Sequence, residues 1–476
     1  MPVDRLSALD ECFLRVESDA APMQVGWTLV LDGEPPTVEE LRRRIAGRLD
    51  RLPRFRRRVL ISAAHLHDPV WVDDPRFDLT AHVLAERLSA PGGAAELREL
   101  AGRLLSQRLD RARPLWRVYV VEGLHGGLFA LVGQAHHALV DGLAALQMAQ
   151  LLLDPVEAAD RSDPQPWDPS PVPNIGERVL ASGLERARLA SRLGLTVFRA
   201  MGAPGEVAAE LRRAGTALAA IGAPAPRTAV NGRIGAERSV AFARLPLPAV
   251  RQVGERRGAT IGDVGLAVSA LALGRHLRRA GESHPWLRAM VPVSTRSEPD
   301  GEQLGNQLSV MFVELPVGER DPCAALEEVR YQTQAHKEAR IAGTLDGLVR
   351  AAAIVPGPLR DAAAWGLTRP QTFNTVVSNI PGPSEPLYLL GRQVRAAYPA
   401  VPLARGHGLS VGMLSYCGVL HVGLFAHPGV VADVAELARD FGRAFDALRA
   451  EAGPWAPSGP GLRRRARRRS ASPVLA

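Results

Sequence analysis

The sequence predicts an α/β protein with mixed sheets, arranged as two domains, and three observations carry that reading. The chain has 476 residues, more than one core ordinarily holds at about 100 to 200 residues per domain. Strand-like and helix-like hydrophobic patterns alternate in both halves. Between Asp154 and Pro173 prolines cluster with Asp and Ser, which marks a linker.

The elements follow in order. Thr37-Val38-Glu39-Glu40 reads as a capping box, and Val38, Leu41, Ile45 and Leu49 then repeat at helical spacing. Trp116 to Val121 alternates like a strand, Gly123 to Gly127 reads as a turn, and Leu128 to Val132 as the buried partner strand. Helical spacing resumes at Leu143, Leu146 and Leu153, with Asp141 placed to cap the first turn. Residues 175–222, rich in Leu, Ala and Arg, read as two helices broken around Pro204-Gly205. A second domain begins near Arg238 with a strand over Ser239 to Leu245, then a helix after Asp263 whose Val264, Ala267, Val268 and Leu271 share a face. Leu287 to Val293, Leu308 to Leu315, Thr375 to Val377 and two late runs add strands. The expected organisation is a first domain over 1–155, a linker and helical connector over 156–237, a second domain over 238–452 and a basic tail over 453–476.

Composition narrows the function. With 46% hydrophobic and 23% charged residues, the chain reads as an ordinary soluble globular protein. No run approaches the roughly 18 uncharged apolar residues of a spanning helix, and the first residues lack the apolar core of a signal peptide, so a cytoplasmic location is expected. Cys12, Cys323 and Cys417 have neither metal nor redox spacing and read as small buried hydrophobes. Lys337 is the only lysine among 58 basic residues. The arginine excess therefore looks like codon bias and is weak evidence for nucleic acid binding. Six arginines between Arg463 and Arg469 supply most of the net charge of +8. Such a tail either solubilises the chain or draws it to an anionic membrane or lipid-droplet surface. No dinucleotide fingerprint, phosphate loop or metal-ligand cluster is present, so no metal and no cofactor are expected.

The chemistry concentrates at His136-His137-Ala138-Leu139-Val140-Asp141-Gly142. Two imidazoles, a carboxylate four residues after the second and a tight glycine turn lie between a predicted strand and a predicted helix. Loops held by a rigid scaffold are where catalytic side chains gather. A histidine titrates near neutrality and can take a proton from an alcohol or amine as that group attacks a carbonyl. The plainer alternative makes Asp141 an N-cap and the histidines core groups.

From these residues outward the chain resembles the bacterial wax ester synthase/acyl-CoA:diacylglycerol acyltransferases, within the chloramphenicol acetyltransferase-like superfamily that includes condensation domains. The resemblance runs from about residue 4 to 452. It rests on Leu6-Ser7-Ala8-Leu9-Asp10 with Phe13, Glu17 and Pro22-Met23, and on Pro114-Leu115-Trp116 ahead of the His-His motif. In the second half it rests on Pro292-Val293-Ser294-Thr295-Arg296, Gly305-Asn306, Ser378-Asn379-Ile380-Pro381-Gly382-Pro383 and Pro386-Leu387-Tyr388. It implies two similar α/β domains with an active-site tunnel at their interface, long-chain acyl-CoA as co-substrate, and diacylglycerol or a fatty alcohol as acceptor. The products would be triacylglycerol or wax esters.

His137 is then expected to act as general base in a ternary complex without an acyl-enzyme, with His136 positioning the loop. Asp141 is expected to pair with Arg296 across the domains. Gly142, Asp263, Asn306, Ser378 and Asn379 are expected to bind substrate or to shape the site. Two departures from the family pattern stand out: Gly262 where an asparagine is usual before Asp263, and His407 where a glutamine is usual.

Gly408-Leu409-Ser410-Val411-Gly412 also matches the nucleophile elbow of serine esterases, with His421 and His427 downstream. An elbow must lead into a helix, whereas Leu409, Val411 and Met413 alternate and Tyr416-Cys417-Gly418 leads into Val419 to Phe425, the pattern of a hairpin. Transfer from a carrier protein, condensation of carrier-bound peptides, or lipid binding without catalysis would also use the same fold.

Overall fold

A computed structural model of the chain describes residues 3–62, 66–139, 148, 151–158, 163–202, 224–294, 308–338, 366 and 368–452. Strands are numbered here in chain order: β1 (Asp4–Arg5), β2 (Gln24–Asp32), β3 (Arg57–Leu60), β4 (Val70–Asp73), β5 (Val83–Arg87), β6 (Trp116–Leu124), β7 (Leu128–His136), β8 (Ser239–Pro246), β9 (Leu287–Ser294), β10 (Leu308–Leu315), β11 (Thr375–Pro381), β12 (Tyr388–Leu389), β13 (Arg392–Ala400), β14 (Leu409–Tyr416) and β15 (Val419–Ala426). They form two six-stranded sheets, β12-β13-β2-β7-β6-β5 and β10-β9-β11-β14-β15-β8, and a small sheet β1-β4-β3. Both large sheets are mixed: β5 runs parallel to β6, and β11 runs parallel to β9 and β14.

Each large sheet is covered by helices. On the first, the capping box at Thr37 opens a helix over Val38–Ala46 whose Leu41 and Ile45 are fully buried, each contributing about 1.5–3 kcal/mol of burial. On the second, the helix Ile261–Arg279 is buried at thirteen positions from Asp263 to Leu277, as an all-round apolar sequence requires. It shares one core with residues of the helices Leu247–Arg257, Pro322–Glu338 and Val434–Glu451.

One feature of the topology does not follow the order of the sequence. Residues 388–400, inside the stretch 238–452 read as the second domain, form β12 and β13 and complete the first sheet, with Tyr398 opposite Thr28 and Ala400 opposite Gly26. The crossing is made possible by Gly412 and Gly423, which face each other on β14 and β15. A Cβ at Gly423 would stand 1.9 Å from the Pro399 carbonyl oxygen, and one at Gly412 would stand 3.0 Å from Pro399 Cγ. Hydrogen at these two positions lets β13 lie directly on the second sheet. The helix Ala94–Leu105 seals the same seam, packing with Val132 and Ala130 of β7, Val240 of β8 and Phe425 of β15.

The helix Ile175–Gly202 matches the first half of the expected connector; the break expected at Pro204-Gly205 lies outside the described residues, as do the helix expected from Leu143 and the tail from 453. Strand β7 is longer than the sequence pattern implies and ends on His136, not Val132. The pattern is hidden because Gly133 breaks the apolar run, and Gly133 is required there: a Cβ would lie 2.1 Å from the indole of Trp27 on β2. The cysteines are all free and partly buried, not fully so. Among the described residues no helix is long and apolar enough to cross a membrane.

Candidate active site

The two histidines stand where β7 ends, at the edge of the first sheet where β2 begins and β13 finishes, since Gln24 pairs with His136 and Gly26 with Ala400. Their backbone is clamped from both sides. The His136 N–H donates to the Leu115 carbonyl at 2.9 Å and the His137 N–H to the Met23 carbonyl at 2.8 Å, and the Leu139 N–H closes a turn onto the His136 carbonyl at 2.8 Å. Pro114-Leu115-Trp116 and Pro22-Met23 thus have a mechanical role. The Trp116 indole N–H is itself held by the Phe55 carbonyl at 2.8 Å.

The side chains are fixed by the N-terminal helix Ala8–Val16. Ser7 and Asp10 form its capping box, and Glu17 is its C-cap. Phe13 and Glu17, four apart, lie on one side of it. The Phe13 ring stacks on the His137 imidazole with centroids 3.8 Å apart and planes 13° apart, while Glu17 Oε1 lies 3.7 Å from His136 Nε2. His136 Nδ1 accepts the Ala138 N–H at 3.0 Å, which leaves the ring proton on Nε2, facing the carboxylate. Glu17 is in turn held by Arg111 Nε at 2.7 Å and Arg108 Nη2 at 3.2 Å. Sequence reading gave Phe13 and Glu17 no role. Their i, i+4 spacing was the available signal, but nothing local says which strand that side meets.

His136 is 1% exposed, and burial, with Arg111, His137 and Arg108 nearby, pushes its imidazole down to about 3. His137 is partly exposed, and desolvation pushes it down to about 4. Both rings are neutral at pH 7. A neutral imidazole on a partly exposed, clamped residue can accept a proton from a bound hydroxyl; the His136 ring is enclosed between Glu17 and its own turn.

The remaining expected site residues divide. Asp141, Gly142, Arg296 and Asn306 lie outside the described residues. Asp263 is buried and satisfied: its Oδ2 accepts the Thr260 N–H and hydroxyl, both at 2.8 Å, and its Oδ1 accepts the Thr333 hydroxyl at 2.6 Å. It caps its helix and ties it to Pro322–Glu338, a structural role. Ser378 and Asn379 are partly exposed on β11, opposite Gly412 and Met413 of β14. Thr260 Oγ1 and Asn379 Nδ2 lie 3.6 and 3.7 Å from where a Cβ on Gly262 would stand, so a side chain at 262 would start beside both. His407 is 1% exposed, stacked on Phe373 and facing the Phe373 and Ala404 carbonyls, a core position.

The esterase reading fails on geometry. Ser410 is 1% exposed as the second residue of β14, its hydroxyl donating to the Val401 carbonyl at 2.6 Å, and β14 turns into β15 rather than a helix. Each glycine of the match has a packing reason, Gly408 because a Cβ would stand 2.2 Å from Val430 Cγ1 and Gly412 because it faces Pro399.

Residues 6–265 match the family model described as the wax ester synthase/diacylglycerol acyltransferase catalytic domain, and residues 304–449 match the WS/DGAT C-terminal domain. The chain is 34% identical over 446 residues to a putative diacylglycerol O-acyltransferase of Mycobacterium bovis, covering 92% of this chain and 94% of the relative. The same figures hold for a probable diacylglycerol O-acyltransferase of Mycobacterium tuberculosis. Among solved structures, the wax ester synthase/diacylglycerol acyltransferase from Marinobacter aquaeolei VT8 superposes with a TM-score of 0.65 at 26% identity, covering 94% of this chain and 100% of that one. The first condensation domain of the calcium-dependent antibiotic synthetase, at 16% identity, a TM-score of 0.57 and 95% and 97% coverage, shares the fold. The chain is therefore an acyltransferase and belongs to the wax ester synthase/diacylglycerol acyltransferase family.

Proposed function

We propose that this acyltransferase moves a long-chain acyl group from acyl-CoA to the hydroxyl of diacylglycerol or a long-chain alcohol, with His137 as general base. The observation that carries the proposal is the neutral His137 ring, on a partly exposed residue clamped through Met23 and stacked on Phe13. In the proposed ternary complex, His137 takes the acceptor's hydroxyl proton as the oxygen attacks the thioester carbonyl. The tetrahedral intermediate collapses with cleavage of the C–S bond, and the imidazolium returns its proton to the departing thiolate. No covalent acyl-enzyme and no metal or cofactor enter the scheme. His136 and Glu17 hold the loop. Asp141 orients it by pairing with Arg296, Gly142 supplies the turn, and Asn306, Ser378 and Asn379 contact substrate. The acyl chain runs in a tunnel between the two domains, where each buried methylene contributes about 0.8 kcal/mol. The arginine tail brings this cytoplasmic enzyme to anionic membrane or lipid-droplet surfaces.

The test is incubation of the purified protein with radiolabelled palmitoyl-CoA and either diacylglycerol or hexadecanol. Labelled triacylglycerol or wax ester is the expected product and names the acceptor. Label retained in palmitoyl-CoA with both acceptors, or transfer only from a carrier-protein thioester, would overturn the proposal.

A further inference from the structure

A cavity of about 690 Å³ opens on the seam between the halves. One wall is Ser18-Asp19-Ala20, directly after Glu17; the others come from the 225–234 segment that leaves the connector and from the 370–371 and 405–406 loops of the second half. Arg227, Arg233 and Arg405 line it, all exposed, and none of the three forms an ion pair or hydrogen bond through its side chain with any described residue. The one acidic residue in the lining, Asp19, is already paired with Arg108. Beneath the wall lies a fourth guanidinium. Arg238 is 6% exposed, stands 5.8 Å from the centre of the Phe425 ring and donates to the carbonyls of Gly235, Glu237 and Ala20, each at 2.7 Å. Among the described residues, a buried cation with no carboxylate counter-charge below three arginines without an ion pair gives the cavity an uncompensated positive field.

The cavity wall is close to the base along the chain. Ala20 lines it, and Met23, three residues on, takes the His137 N–H, so cavity wall and clamp are joined by at most about 11 Å of chain. The arginines call for an anionic group in the cavity, and a ligand long enough to extend from it past Ala20 suits the acyl-transfer reading. Guanidinium groups hold phosphates bidentately and stack on flat rings.

Resting on the acyl-CoA reading above, we infer that this cavity binds the 3′-phospho-ADP head of acyl-CoA, with Arg227, Arg233 and Arg405 on its phosphates, and that the pantetheine arm runs from there past Ala20 to His137.

The experiment compares wild type with the triple variant Arg227→Gln/Arg233→Gln/Arg405→Gln, surface changes that leave the core intact, with melting temperature as the folding control. Two donors are used: palmitoyl-CoA and palmitoyl-pantetheine, which lacks the nucleotide. The expected result is a KM for palmitoyl-CoA raised about tenfold or more, with kcat and the kinetics of palmitoyl-pantetheine unchanged. Calorimetric titration with 3′,5′-ADP should show saturable binding to wild type and none to the variant. An unchanged KM for palmitoyl-CoA, or no binding of 3′,5′-ADP to wild type, would overturn the inference. So would loss of binding to phosphatidylglycerol vesicles by the variant while 3′,5′-ADP still binds it, which would identify a lipid headgroup site. If wild type uses neither donor, the proposed reaction fails, while the 3′,5′-ADP titration still decides the cavity.

Discussion

Replacing Glu17 by Gln changes one oxygen to an amide nitrogen and tests how the His-His turn is held. The Glu17 side chain is 2% exposed and receives Arg111 and Arg108, with His136 Nε2 at 3.7 Å. Two charge-assisted hydrogen bonds to a buried carboxylate would contribute about 1.5–3 kcal/mol each. The arginines are 32% and 39% exposed, and screening on their side reduces the expected loss to about 2 kcal/mol. The new amide also turns an N–H toward either a guanidinium or the His136 Nε2–H, which loosens the ring next to the base. A base displaced by about 1 Å loses roughly 10²-fold in rate, so kcat for acyl transfer should fall by about ten- to a hundredfold. Urea unfolding and initial rates with palmitoyl-CoA measure the two effects. A variant within about 0.5 kcal/mol of wild type and with undiminished kcat would refute the claim that Glu17 braces the site.

Other predictions follow from single contacts. Gly423→Ala should lower stability by about 3 kcal/mol or more, because its methyl meets the Pro399 carbonyl and backbone cannot step aside, whereas Gly442→Ala, with nothing near its helical Cβ position, should raise it by about 0.5–1 kcal/mol; equal melting temperatures would refute the seam argument. Gly262→Asn should fold normally, since its Cβ meets only ordinary contacts at 3.6 and 3.7 Å, and should raise turnover by placing an amide beside Asn379; a lower melting temperature would contradict the space seen there. His82, His136, His407 and His421 are each at most 2% exposed, and burial lowers them to about 3–4, below the ordinary 6.5. The unfolded chain therefore takes up protons the native one refuses: the stability of the neutral rings is complete above pH 6.5 and is lost as pH falls toward 4. At full titration the slope is roughly 5 kcal/mol per pH unit, and a urea midpoint independent of pH between 6.5 and 4.5 would refute it.

Much of this was legible in the sequence because the signals are local. The capping box at Thr37, the strand pair around Gly123–Gly127, the late hairpin and the buried helix after Asp263 are fixed by neighbours in the chain, and all four are present. The His-His pair was recognisable for the same reason. What escaped depends on contacts between distant segments. Nothing near Tyr398 says that its strand leaves the second half to pair with β2; the cause is two glycines, Gly412 and Gly423, on other strands. Glu17 precedes His136 by more than a hundred residues, so its place beside that ring follows from topology and not from spacing. Asp263 was expected to serve the substrate or the frame, and its carboxylate accepts the Thr260 hydroxyl and that of Thr333 on a neighbouring helix, a contact that its local sequence does not announce.

Catalysis depends on the ring at position 137, and steady-state turnover of palmitoyl-CoA by His137→Ala, with binding of the donor measured alongside, is the decisive experiment. If His137 is the base, kcat falls by roughly 10² or more while donor affinity is kept and no label becomes attached to the protein. Turnover near wild type, or a palmitoylated side chain isolated from the wild-type enzyme, would contradict it.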